Sequence, residues 1–212
     1  MVGVLRVTHH ESGVTHRMAQ DSSLPEFWDT RYRDQVTPWD AHGVPADLRA
    51  FAAMLPAATR VLVPGCGSAR ELRCLAETGA EVLAIDFSIG AVELAKRNAG
   101  PFADRIRLGD FFQFEPGPQP FDVVYERAFL CALPRKLWPR YAARTAELLG
   151  PGKRLVGFFF YHDDPKGPPF GTSPEELHAL LDSAFHLVED RPAAESLAVF
   201  QDGERWQVWR RR

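Results

Sequence analysis

Cysteine is scarce in this 212-residue chain, and the three that occur, Cys66, Cys74 and Cys131, include no Cys-x-x-Cys pair. An odd number so spaced supports neither a disulfide framework nor a structural zinc site and fits a reducing compartment. Histidine is no better arranged for metal: His9-His10, His42, His162, His178 and His186 show no ligand spacing, so no metal is expected. Nor is basic charge in excess. Against 25 Lys and Arg stand 28 Asp and Glu, a formal charge of -3 that gives no field for a phosphate backbone and argues against nucleic acid as partner. The longest apolar stretches, such as Leu155 to Tyr161, fall far short of the roughly 20 residues a membrane span needs. No N-terminal segment has the charged, apolar and cleavage order of a leader, so a cytoplasmic protein without a membrane partner is expected. What is present is a 45% hydrophobic composition, enough for one domain around one core and compatible with a monomer.

Residues 1–24 are polar and lack sustained periodicity, which predicts a mobile arm ahead of a single domain over 25–212. From there strands and helices alternate. Val44, Leu48, Phe51 and Leu55 share a helical face closed by Pro56, and Arg60 to Val63 reads as a buried strand running into Pro64-Gly65-Cys66-Gly67-Ser68. Ser68 with Glu71 has the spacing of a capping box, which predicts a helix starting there and ending near Gly79. Further strands are predicted at Glu81 to Asp86, Arg105 to Leu108, Phe121 to Tyr125 and Arg154 to Tyr161. Helices are predicted after Ser88, between Pro134 and Leu149, and after Ser173-Pro174-Glu175-Glu176. Two closing strands, Phe185 to Glu189 and Arg205 to Arg210, break the alternation. A mainly parallel, Rossmann-like sheet with helices on both faces and a late antiparallel strand accounts for this order.

In such a sheet the ligand crevice lies beyond the carboxyl ends of the strands, where the first strand turns into its helix. Gly65-Cys66-Gly67-Ser68-Ala69 occupies that turn, where glycine lets backbone N–H groups approach an anion; a plain packing turn is the alternative. Asp86, at the end of the second strand and about 20 residues past the glycines, is placed to hold both hydroxyls of a ribose, or else to cap a helix. The pair suggests an adenosine-type cofactor. A dinucleotide fingerprint wants Gly or Ala where Arg70 stands, so NAD and FAD are disfavoured and S-adenosylmethionine is preferred.

The strings Val61-Leu62-Val63-Pro64-Gly65-Cys66-Gly67, Phe27-Trp28 with Thr37-Pro38-Trp39-Asp40, Gly109-Asp110-Phe111-Phe112, Phe121 to Ala128 and Gly167-Pro168-Pro169-Phe170 resemble the thiopurine S-methyltransferase family, which includes thiol, thiocyanate and halide methyltransferases. The resemblance runs from about Phe27 to the C-terminus. Val63 and Ala69 stand where the generic methyltransferase turn has an acidic residue and a third glycine. The resemblance implies a class I methyltransferase fold with a seven-stranded sheet and S-adenosylmethionine as cofactor. It further implies that the Gly65-Cys66-Gly67 backbone faces the methionine end, that Asp86 followed by Phe87 holds the ribose, and that Asp110 and Phe111 take the adenine. Tyr125 would offer its carbonyl near the cofactor amino group, while Trp28 and Trp39 would fold over the pocket. Core packing for the aromatics and a turn cap for Asp110 are the alternatives.

Methyl transfer from a sulfonium is an in-line displacement by an already activated donor, so alignment of the partners counts for more than acid-base machinery. A water-excluding aromatic lid would favour the cationic donor. For the small-molecule acceptor, Arg127 at the end of the fourth strand is expected to hold an anionic nucleophile, unless it pairs with Glu126 or Asp163. Tyr161 and His162, ending the fifth strand, are expected to line the acceptor pocket. No general base is apparent. Cys66 and Cys131 read as small packing residues. The function expected is methylation of a small thiol or other soft nucleophile; O- or N-methylation of a small metabolite, or a binding module that retains the fold, are the alternatives.

Overall fold

The computed structural model describes residues 21–40, 43–164 and 166–212. Most of the arm expected over 1–24 therefore lies outside the described residues. Its last four are built into the structure, where Ser22 is buried and its carbonyl accepts the Trp28 indole N–H at 2.8 Å.

Chain order runs α1 (Pro25–Arg33), α2 (Ala46–Ala52), β1 (Arg60–Pro64), α3 (Arg70–Ala76), β2 (Glu81–Asp86), α4 (Ile89–Ala99), β3 (Ile106–Leu108), β4 (Phe121–Arg127), α5 (Trp138–Leu148), β5 (Leu149–Phe160), α6 (Pro174–Leu181), β6 (Phe185–Pro192) and β7 (Glu204–Arg211). The seven strands form one sheet in the order β3-β2-β1-β4-β5-β7-β6. β1 to β5 pair in parallel, whereas β7 runs antiparallel to both β5 and β6. The strand order reverses between β1 and β4, and that switch point opens the crevice.

β1 and β4 are buried along nearly their whole length, as strands covered on both faces must be. Val61, Val63, Val123 and Tyr125 point to one face, against α2 and α3 through Leu48, Phe51, Leu72 and Leu75. Leu62 and Val124 point to the other, against Tyr141, Leu148 and Leu177 of α5 and α6. The predicted capping box at Ser173 forms, with Ser173 Oγ accepting the Glu176 N–H and Glu176 accepting the Ser173 N–H. The one predicted at Ser68 does not. Ala69 precedes α3 in a left-handed conformation (φ 52°), and Ser68 Oγ donates to Asp40 instead.

α1 has no counterpart in the sequence reading. Of its residues only Phe27 is buried, so it carries no apolar stripe. It is fixed from outside: Asp29 Oδ1 accepts Ser88 Oγ–H at 2.6 Å and the Gly90 N–H at 3.1 Å, tying α1 to the start of α4.

Candidate active site

A cavity of about 540 Å³ opens at the carboxyl ends of β1, β2 and β4, within the size range of small-molecule sites. Trp28, Trp39, Gly65, Cys66, Gly67, Asp86, Phe87, Asp110, Phe111, Tyr125 and Arg127 all line it. These residues are spread over about 100 positions of sequence, and the switch point gathers them.

The glycine turn is shaped for close approach. Gly65 and Gly67 have φ of +55° and +53°, and a Cβ on Gly67 would lie 2.7 Å from Tyr32 Oη. A Cβ on Gly65 would run into the Phe129 ring. Asp86 secures the turn from below: Oδ2 accepts the Gly67 N–H and Oδ1 the Ser88 N–H, both at 2.9 Å. A carboxylate has about four acceptor positions, so two remain for hydroxyls of a ligand. Burial pushes the Asp86 carboxyl up to about 6 despite those N–H donors. Asp86 does not cap α4; Ser88 does, accepting the Ala91 N–H.

Above the turn, the Trp28 and Trp39 rings meet edge to face at 5.2 Å, and Trp39 Nε1 donates to Tyr32 Oη at 3.4 Å. On the opposite wall Phe111 packs against Phe112 and Phe129 at 5.4 and 5.2 Å. Phe111 is thus both core and cavity wall, and Asp110 both lines the cavity and caps its own turn by accepting the Phe112 N–H.

Arg127 pairs with neither Glu126 nor Asp163. Its Nη1 lies 3.1 Å from Glu71 Oε1, with the two side chains only 9% and 14% exposed. Beside them lies the hydroxyl of Tyr125, which is almost wholly buried. Trp39, Ala128, Cys131, Val199 and Phe200 belong to one apolar cluster and line the cavity as an apolar wall, Ala128 following Arg127 directly in the chain. Burial pushes the Cys66 and Cys131 thiols well up, which keeps them protonated and in keeping with packing roles.

Tyr161 and His162 require correction: neither lines this cavity. They border a separate shallow depression with Thr172 and Pro174. The cause is the antiparallel return of β7 beside β5, which draws Tyr161 N–H onto the Gly203 carbonyl and the Tyr161 hydroxyl onto Gln207 Nε2 at 2.7 Å. The His162 ring stacks on Phe160. Tyr32, Asp40, Glu71 and Phe129, which border the cavity, had no assigned role in it from sequence.

Glu126 shapes the floor without being placed at the chemistry. Its Oε1 accepts the N–H groups of Phe129 and Leu130, and its Oε2 the Tyr141 hydroxyl at 2.8 Å. Burial raises its carboxyl from 4.5 to about 7. A folded-state value above the unfolded one means that the folded protein binds more protons between them. Its contribution to stability is therefore full below about pH 4.5 and lost as pH rises through about 7. Glu126→Gln keeps the acceptor oxygen and is expected to remove that fall, up to about 3 kcal/mol, in denaturant titrations from pH 4.5 to 7.5. An unchanged slope would place the titration elsewhere.

The family model for thiopurine S-methyltransferase matches residues 23–212. A probable thiol methyltransferase 2 of Arabidopsis thaliana is 30% identical over 174 residues, covering 78% of this chain and 75% of that protein. A thiopurine S-methyltransferase of Xanthobacter autotrophicus is 33% identical over 178 residues, covering 74% and 83%. Among solved structures, a Burkholderia thailandensis 1,6-didemethyltoxoflavin-N1-methyltransferase with bound S-adenosylhomocysteine superposes with a TM-score of 0.70 at 20% identity, over 99% of this chain and 93% of that one. At that identity the likeness is one of fold, and it is the class I methyltransferase fold.

Proposed function

The chain belongs to the thiopurine S-methyltransferase family and is an S-adenosylmethionine-dependent methyltransferase; from that premise we propose that it methylates a small, largely apolar thiol held at the Arg127 end of the cavity. The observation that carries this is the junction of a buried guanidinium with an apolar wall. Trp39, Cys131, Val199 and Phe200 give the cavity a largely apolar wall, and Arg127, the buried one of its lining cations, suits a soft anion.

The residues fit the cofactor. Two positive-φ glycines let the backbone come close, the buried Asp86 carboxylate has acceptor positions to spare, and Phe111 offers a ring face or edge beside Asp110. In our proposal Asp86 holds the ribose, Asp110 and Phe111 the adenine, and the Gly65 to Gly67 backbone with the Tyr125 carbonyl the amino-acid end. Bound there, S-adenosylmethionine supplies a methyl group already activated on a sulfonium. The chain's own part is then to align and to keep dry. Trp28, Trp39 and Tyr32 exclude water and present aromatic surface suited to a cation. Arg127 stabilises the acceptor as an anion.

The acceptor is a small molecule, and no described helix is long and apolar enough to cross a membrane. Transfer of labelled methyl to a panel of thiols, iodide, thiocyanate and phenols tests the acceptor class. Thiols are expected to lead with kcat/KM at least about tenfold above any phenol. Turnover of phenols alone would establish the oxygen-methylating alternative.

A further inference from the structure

We propose that Glu71 takes the proton of the incoming thiol, so that the Glu71–Arg127 pair converts a neutral thiol into a thiolate inside the cavity; this rests on the thiol acceptor proposed above. Among the described residues four carboxylates border the cavity, and three are already committed. Asp86 accepts two backbone N–H groups, Asp110 accepts the Phe112 N–H and the Gln113 amide, and Asp40 accepts Ser68 Oγ–H and the Arg70 guanidinium. Glu71 differs. Its side-chain hydrogen bond comes from Arg127, the very cation placed to stabilise an acceptor anion. The capping box does not form, since Ser68 turns to Asp40, and the Glu71 carboxylate meets its own backbone N–H and the Arg127 guanidinium instead.

The charge balance favours this arrangement. A pair of opposite charges sits largely out of water, where an added net charge is costly. An anion entering beside Arg127 would meet the Glu71 carboxylate as well. A neutral thiol avoids that conflict by bringing its own proton. The S–H bond breaks, the proton goes to a Glu71 oxygen, and the electron pair stays on sulfur as a thiolate facing Arg127. That sulfur then forms its bond to the methyl group supplied by S-adenosylmethionine, whose own sulfur recovers the C–S pair, and Glu71 later returns the proton to water. Net charge in the pair's surroundings is unchanged by the first transfer.

The groups that face Glu71 bias it in both directions. Arg127 on β4 favours its ionised form, while Asp40 and burial disfavour it. Tyr125 on β4, Cys66 in the turn and Cys74 on α3 lie near enough to feel its charge, and Glu204 on β7 acts on the same Arg127. Burial prevails, so the carboxyl stands above its ordinary range and is a better base than a surface glutamate.

The test compares Glu71→Gln with the unaltered enzyme on two acceptors under saturating S-adenosylmethionine: 2-mercaptoethanol, which arrives protonated near neutral pH, and 4-nitrobenzenethiol, which arrives as the thiolate. The variant is expected to lose about 100-fold in kcat/KM for 2-mercaptoethanol at pH 7, and to recover as pH approaches that thiol's own ionisation. Toward 4-nitrobenzenethiol it should stay within about threefold of wild type or exceed it, since Arg127 is no longer neutralised. Equal losses on both acceptors would overturn the assignment and leave Glu71 a structural partner of Arg127. A second measurement needs no variant. Calorimetry of 2-mercaptoethanol binding to the S-adenosylhomocysteine complex, in buffers of differing ionisation heat, should show no proton released by the wild-type protein near pH 7. Release of about one proton per thiol bound would contradict Glu71 as its acceptor. If no thiol is methylated by the wild-type protein at all, it is the acceptor class that fails, an outcome distinct from either of these.

Discussion

Arg127→Met is expected to lower kcat/KM toward thiols by about a hundredfold, the equivalent of roughly 2.7 kcal/mol of transition-state stabilisation from a charge-assisted contact. The same change removes the partner of a carboxylate that is only 14% exposed, so a stability loss of about 3 kcal/mol should accompany it. These two effects separate in the double variant. Glu71→Gln combined with Arg127→Met leaves no unpaired charge and should regain most of the stability in denaturant titrations, but not the activity. Arg127→Lys keeps the charge while losing the planar fork that spans Glu71 and a second acceptor, and should fall between. A folded Arg127→Met enzyme with full activity would confine the residue to holding Glu71.

Asp86→Ala should weaken S-adenosylmethionine binding by about 1 to 3 kcal/mol, or roughly ten- to hundredfold in Kd. Two losses combine in that figure. The ribose hydroxyls would lose a charged acceptor, and the Gly67 N–H would lose the partner that fixes the turn at 2.9 Å. Asp86→Asn retains one acceptor oxygen and should lose less. Because burial places the Asp86 carboxyl at about 6, wild-type affinity should hold above that pH and fall as pH drops through it, while the Asn variant stays flat over the same range. Isothermal titration across pH 5 to 8 measures both effects. Unchanged affinity in a folded Asp86→Ala protein would remove the residue from the cofactor site.

The parts of this molecule legible in its sequence are those set by local chemistry. Each strand from β1 to β7 has a counterpart in the predicted strands, and Glu81–Asp86 coincides with its predicted limits. The Ser173 box forms because both partners lie within one turn, and it persists although Arg135 also reaches Glu176. At Ser68 the same spacing misleads, since Asp40, some 28 positions upstream, takes the hydroxyl. No local pattern reveals that competition, nor the pairing of Glu71 with Arg127 across 56 positions. α1 went unread for a related reason: its residues are held by Asp29 reaching Ser88 and by the Trp28 to Ser22 bond, not by an apolar face. Tyr161 and His162 are expected at the acceptor pocket because they end the predicted fifth strand. β5, however, is bordered on one side by the antiparallel β7, so its end abuts a returning strand while the crevice lies at β1 and β4. The residues proposed for the cofactor are found from sequence because a motif fixes glycine turn and acidic residue by their distance along the chain, and the structure brings them to one cavity.

In the proposed reaction one cavity serves donor and acceptor together, with Asp86 at the ribose end and Arg127 at the acceptor end. A crystal structure of the ternary complex with S-adenosylhomocysteine and an apolar thiol examines that most directly. The predicted result is a ribose whose hydroxyls meet Asp86, an amino-acid end along the Gly65 to Gly67 backbone, and a thiol sulfur lying between the homocysteine sulfur and the Arg127 guanidinium. A nucleoside seated away from Asp86, or a thiol sulfur on the far side of the cavity from Arg127, would contradict it.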